Sequence, residues 1–201
     1  MPENALEELV MRLAEPLVES LGLVIWGVEC PREGRLTLRL FVDGPGDAET
    51  SPSIDACETI SRRLGLALEV EDAIGDAYVL EVSTPGLNRR FFRPDQLAPY
   101  VGDVVDVVLE RAGGEGCGNR RRWRGVLAAL EGEDIVLRPA KVTEAGDVLE
   151  EGREPVRLPW GNVRKASRHH VFRRPQKPGK GRRTDAPEGR PTKADAHAAG
   201  A

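Results

Sequence analysis

Aromatic side chains are scarce in this 201-residue chain, at 4% (three Trp, two Tyr, four Phe), so its core must rest on Leu, Val, Ile and Ala. Cysteine is scarcer still. Cys30, Cys57 and Cys117 are odd in number and lack CxxC spacing, which argues against a disulfide framework or a zinc site and suits a reducing cytoplasm. Cys30 and Cys57 read as small buried hydrophobes and Cys117 as a loop thiol. Of three histidines, His169 and His170 are adjacent and His197 lies far along the chain, so no metal site is expected and the pair reads as surface residues. No run approaches the roughly 20 apolar residues of a membrane span. The opening MPENALEELV is acidic and amphipathic, so no secretory leader and no membrane association are expected.

Signatures of catalysis are missing as well. There is no GxSxG, no HExxH and no Cys/His arrangement. The adjacent acids Glu71-Asp72 and Glu133-Asp134 fall in turn-like segments without acid/base partners. The Gly-rich GEGCGN (114–119) is not GxxxxGK[ST] and no helical pattern follows it. The expectation is a non-enzyme without cofactors. Lysine is rare too: five of the 29 basic residues, the rest being arginine.

What the chain has is charge, 31% of residues against 40% apolar, as in a globular protein with a charged surface. The charges are segregated. Residues 1–92 carry 17 acids and 8 bases, net −9; residues 93–172 carry 13 of each; residues 173–201 carry 8 bases and 3 acids, net +5. Such blocks bear on partners more than on fold.

Residues 4–21 predict an amphipathic helix with Leu6, Leu9, Val10, Leu13, Leu17 and Leu21 in one stripe, weakened at Pro16, which should kink or split it. LVIWGVEC (23–30) and RLTLRLFV (35–42) predict strands joined by the turn-like Pro31–Gly34. Ser53 is an N-cap candidate, with Asp55 in the first turn and Ile54, Cys57, Ile60 and Leu64 giving the helical period until Gly65 weakens or closes it. AYVLEVS (77–83) is a third strand. This α-β-β-α-β order predicts an α+β two-layer domain over 1–91. Short strands at 103–110, 122–130, 134–139, 147–150 and 154–158, separated by turn signals, predict a small β-barrel domain over 92–172. Residues 173–201 contain no Leu, Ile, Val, Tyr or Trp and are expected to form a disordered basic tail.

The most informative segment is LEVSTPGLNRRF (80–91). Pro85 suits position i+1 of a type II turn and Gly86 the positive φ at i+2, so Thr84–Leu87 reads either as a strand exit and hinge or as a rigid corner from which Arg89 and Arg90 project. LEVSTPGLNR resembles the LEVSSPGLDR signature of the RimP ribosome maturation factors. IDACETISRRL (54–64) and VEDAIGDAYVLEV (70–82) are similar to that family too, and the resemblance runs through residues 5–172. Thr84, Asn88 and Arg90 depart from the family's Ser, Asp and Pro. The resemblance implies an N-terminal α/β domain, a C-terminal SH3-like (Sm-like) barrel, and a cytoplasmic role in maturation of the small (30S) subunit. It further implies contact with the small-subunit ribosomal protein numbered twelve, near the decoding centre.

Candidate partner-binding residues are therefore Pro85, Gly86, Leu87 and Arg89 at the corner, Glu8 and Glu15 on the acidic first helix, and Arg120, Arg121 and Arg122 beside Trp123. A net −9 segment should favour a basic ribosomal protein over bare RNA. The arginine cluster reads as a solvated hairpin tip or as a phosphate contact on ribosomal RNA. The expected partners are the immature small subunit and that protein, with ribosomal RNA as a further contact, and a monomeric chain. The rival expectation is a general RNA-binding module built on the barrel and tail, and the net charge of residues 1–172 weighs against it.

Overall fold

The computed structural model describes residues 3–46, 51–112 and 119–172; Cys117, the Gly-rich loop and the 173–201 tail lie outside the described residues. Helix α1 (Glu3–Glu19) runs unbroken through Pro16. That proline falls in the last turn, where few intrahelical bonds remain to be lost, so the helix is not split. Its buried stripe is Leu6, Leu9, Val10, Ala14 and Val18, while Leu13 and Leu17 are only partly buried and Leu21 is 40% exposed. The residues at 6, 10, 14 and 18 keep one face through spacings of four, and small Ala14 lets the helix approach the sheet closely.

Strands β1 (Val24–Glu29), β2 (Arg32–Glu33) and β3 (Arg35–Asp43) follow. β3 alternates cleanly, with Leu36, Leu38, Leu40 and Val42 buried. β1 and β2 both pair antiparallel with β3, and Gly34, at φ +85°, forms the hairpin tip. Helix α2 (Ile54–Glu71) starts where Ser53 Oγ accepts from the Ala56 amide at 3.1 Å. Gly65 does not close it. One glycine costs about 1 kcal/mol against alanine, and Leu64 and Leu68 carry the buried stripe past it. Ile54 is a correction of another kind: it shares the helical period but is 86% exposed and takes no part in the core. α2 returns the chain to β4 (Tyr78–Ser83), which pairs parallel with β3 from Leu36↔Tyr78 to Phe41↔Ser83. α1, α2 and this sheet enclose the first core.

The second sheet is built from β5 (Arg90–Phe91), β6 (Val104–Leu109), β7 (Arg122–Glu131), β8 (Asp134–Val142), β9 (Val148–Glu150), β10 (Val156–Pro159) and β11 (Val163–Arg168). The order is β10-β8-β7-β6-β11-β5, with β9 also on β8. The path is open: among the described residues no pairing joins its ends, β10 and β5. β5 and β11 had no counterpart in the sequence reading, nor did the 3-10 helix Pro94–Tyr100. Inward side chains of β5, β6, β7, β8, β10 and β11, including Phe91, Val107, Leu127, Leu137, Leu158 and Ala166, form a second core. The molecule is mixed α+β.

Candidate functional site

The scarce aromatics are concentrated. Trp26, Phe41, Phe91, Phe92 and Tyr100, five of the nine, meet where the two sheets adjoin, with ring centroids 5.3 Å apart for Phe91 and Tyr100, 5.8 Å for Phe41 and Phe92, and 6.3 Å for Trp26 and Phe91. Trp26 belongs to β1 yet packs against the second core. Its Nε1 donates to Arg90 O at 2.6 Å, and its own carbonyl accepts from Gln96 Nε2 at 2.6 Å. Gln96 Oε1 in turn accepts from the Phe92 amide at 2.7 Å, so this buried amide side chain ties β1 to the residue that follows β5. Gly27 is required here: a Cβ would stand 2.1 Å from Phe92 Cδ2.

The 84–90 corner feeds this junction. Gly86 has φ +70°, as the turn chemistry demanded, although the chain's bend falls at Leu87 and Asn88. Pro85 is half-buried, while Gly86 and Leu87 are exposed. Arg89 and Arg90 do not project. Arg89 Nη1 donates to Asp43 Oδ2 at 2.9 Å and to Tyr100 Oη at 2.7 Å, with its guanidinium 5.0 Å from the Trp26 ring. Arg90 pairs with Glu29 and lies 5.1 Å over Phe92. Since β5 is in the second sheet and Glu29 in the first, Arg90 also clamps the two together.

The pleat divides the arginine cluster. Arg120, Arg121 and Arg122 are all exposed, but Arg121 turns to donate to Leu109 O at 3.3 Å, while Arg120 stacks 4.6 Å over Trp123. Arg120 and Arg122 line a cleft of ≈500 Å³ with Arg124, Lys141 and Lys165 against only two acids, Asp106 and Glu151. Arg124 donates to both Asp106 oxygens, at 2.6 and 2.9 Å. That hydrogen bonding raises its pKa further, against the opposing effect of burial. His169 Nδ1 lies 3.1 Å from the same carboxylate and His170 stacks edge-on against Phe172, so the pair is half-buried and engaged rather than free on the surface. Lys141 and Lys165 escaped the sequence reading because each is a lone lysine, on β8 and on the unforeseen β11.

The acids of α1 are split by the helix period. Glu15 lines a second groove with Glu7, Met11 and Glu19, beside the β1 edge; exposed Glu8 does not line it. Sequence reasoning missed Glu19, although its spacing of four from Glu15 was the available signal. Cys30 is buried and Cys57 partly buried, and burial pushes the Cys57 thiol up. Among the described residues there is no group of three potential metal ligands, and no helix is long and apolar enough to cross a membrane.

Two sheets meet at an aromatic junction, with an acidic groove beside one and a basic cleft on the other, so the molecule is a mixed α+β protein of segregated surface charge. Residues 13–88 match the RimP N-terminal domain family model. The chain is 47% identical over 222 residues to the ribosome maturation factor RimP of Desulfovibrio desulfuricans, covering 90% of this chain and 86% of that protein. It is 46% identical over 175 residues to RimP of Nitratidesulfovibrio vulgaris strain DP4 (87% and 96% covered), and 37% identical over 224 residues to RimP of the Miyazaki F strain (98% and 97%). The chain belongs to the RimP family of ribosome maturation factors.

Proposed function

We propose that this chain is a non-enzymatic, cytoplasmic assembly factor for the small (30S) ribosomal subunit, acting as a monomer that binds the immature particle. The observation that carries the reading is charge segregation on either side of one junction. Glu7, Glu15 and Glu19 line the groove of the first sheet, and Arg120, Arg122, Lys141 and Lys165 the cleft of the second. A ribosomal precursor offers basic proteins and polyanionic RNA side by side, and complementary surfaces speed encounter and reject wrong partners. A factor that binds one conformer of the precursor better than another shifts the population by that difference. The acidic groove supports a basic protein partner; the 80–89 resemblance is what points to the twelfth small-subunit protein. In this reading the corner, half-buried Pro85 with exposed Gly86 and Leu87, contacts the particle, Glu8 adds to the acidic field, and Arg89 positions the two halves.

Residues 1–91 and 92–172 act as two domains in this proposal, followed by the basic tail. An SH3-like barrel for the second is supported by its core. One face of the sheet buries residues from six strands, with no α-helix among the described residues of that stretch to cover it, which a sheet achieves by curling on itself. Bulges at Leu127/Ala129 and Val163/Lys165 supply bending points.

The test is affinity capture with the full chain at moderate salt. Co-purification of small-subunit precursors is expected; their absence would refute the reading. The basic cleft favours a second reading, a general RNA-binding module. Equal, strongly salt-dependent capture of unrelated RNA would select it.

A further inference from the structure

β1 is hydrogen-bonded along one edge only, to β3, and among the described residues no strand pairs with its other edge. A free edge presents a row of unpaired amides and carbonyls, which proteins usually blunt with Lys, Pro, bulges or a covering element. β1, sequence VIWGVE, contains neither Lys nor Pro. Its defences are the irregularity between Ile25 and Gly27 and the Gln96 side chain on Trp26 O. Beside this edge runs a groove of ≈470 Å³, walled by α1 on one side and by Phe92 and Arg93 on the other.

The α1 wall is a single stripe, Glu7, Met11, Glu15 and Glu19, each four residues from the next. Met11 is 41% exposed and Val24, on the edge itself, 39% exposed, so the groove is apolar as well as acidic. Glu15 and Glu19 are like charges one turn apart, which repel, and neither has an ion-pair partner among the described residues. Two other exposed acids on the helices are paired, Glu71 with Arg12 and Glu58 with Arg62. Among the described residues the one cation lining the groove, Arg93, is already bound to Asp95 at 3.4 Å.

We infer that this groove takes an extended, basic segment of a partner protein, which adds as a strand to the free edge of β1 and sets its cations against Glu15 and Glu19. Strand addition matches the geometry because main-chain bonds to the edge hold the segment while alternate side chains face opposite walls. Those facing α1 meet acid and Met11; those facing the other way meet the Phe92 ring. The occupant is therefore a segment alternating basic and aliphatic residues. The inference rests on the reading above, and specifies how a basic ribosomal protein would be held.

The test uses the full-length chain and a labelled nine-residue peptide of alternating Arg and Val, blocked at both ends. Fluorescence anisotropy is expected to show salt-sensitive binding, and hydrogen exchange to slow at the amides of residues 24–28. N-methylation of alternate peptide amides, which removes edge donors without changing charge, should abolish binding. The Glu15→Gln/Glu19→Gln variant should weaken it about tenfold, since two exposed ion pairs are lost; Glu144→Gln, an exposed acid outside the groove, should leave it unchanged. No binding, or binding indifferent to N-methylation or to the double variant, overturns the inference. So does protection of 24–28 that grows with protein concentration without peptide, which would mean a second copy covers the edge, or displacement of the peptide by oligouridylate. Capture of small-subunit precursors separates the two levels. Equal capture by the wild-type chain and the double variant removes the inference and leaves the assembly-factor reading standing; no capture by the wild type removes that reading whatever the peptide does.

Discussion

Gly27→Ala should be destabilising for one identifiable reason. The added Cβ would lie 2.1, 2.3 and 2.4 Å from Cδ2, Cε2 and Cγ of Phe92, well inside contact distance. The ring cannot swing away at no cost, because it packs 5.8 Å from Phe41, lies under the Arg90 guanidinium at 5.1 Å, and its backbone amide is bound to Gln96 at 2.7 Å. Overpacking of this kind costs about 1–3 kcal/mol. Phe92→Ala alone removes a half-buried ring and should cost about 2 kcal/mol, below the range for a fully buried phenylalanine. In the double variant the clash has no object, so the second alanine should add almost nothing. The cycle should then give a coupling energy of about 1–3 kcal/mol, with the double variant more stable than the sum of the single losses. Urea unfolding with an unchanged m-value measures it. Additive losses, agreeing within about 0.5 kcal/mol, would refute the claim that Gly27 exists to admit Phe92.

Gly125→Ala should be worse, at about 3 kcal/mol or more, because its Cβ would meet backbone, Arg138 O at 2.3 Å, in the paired strand β8; thermal unfolding reads the loss. Ser53→Ala removes the acceptor for the Ala56 amide and should cost about 1 kcal/mol, whereas Ser53→Asp should be nearly neutral in the same melt. Gly86→Ala meets nothing within 4 Å, so only its φ of +70° is strained, and a loss of about 1 kcal/mol is expected by urea unfolding, with Gly86→Asn losing less. At pH 8.5 Cys57 should alkylate with iodoacetamide more slowly than an unstructured thiol and equally fast in urea, because burial holds it protonated.

Much of the fold was legible where one local signal dominates. The alternation of β3, the Ser53 cap and the strands β6, β7, β8, β9 and β10 follow from period and turn chemistry. β11 was not legible: VRKASR is mostly polar and only Ala166 is buried, its place being fixed by β6 and β5 on either side. Ile54 fits a helical period equally well whether or not sheet lies beneath it. The site was less legible than the fold because its groupings are non-local. Arg89 gains its role from Asp43, 46 residues away, and Tyr100, 11 away. Conversely, three consecutive arginines that look like one cluster are divided by the pleat. Trp26 carried a usable hint, as the sole tryptophan of the first 100 residues in a chain poor in aromatics.

The Trp26 junction also has a consequence in time, since a polypeptide is made from its N-terminus. The β1–β3 hairpin can form early, but the indole N–H of Trp26 waits for Arg90, 64 residues later, and its carbonyl for Gln96, 70 residues later. At roughly 5–20 residues per second, translation leaves that tryptophan uncovered for about four to fourteen seconds. A product released before Arg90 would keep a bare indole beside the open β1 edge, without the Gln96 side chain that blunts that edge at Trp26 O in the whole chain. Covering of β1 at Trp26 is thus tied to residues beyond the first sheet, so a truncated chain should be sticky rather than a smaller working protein.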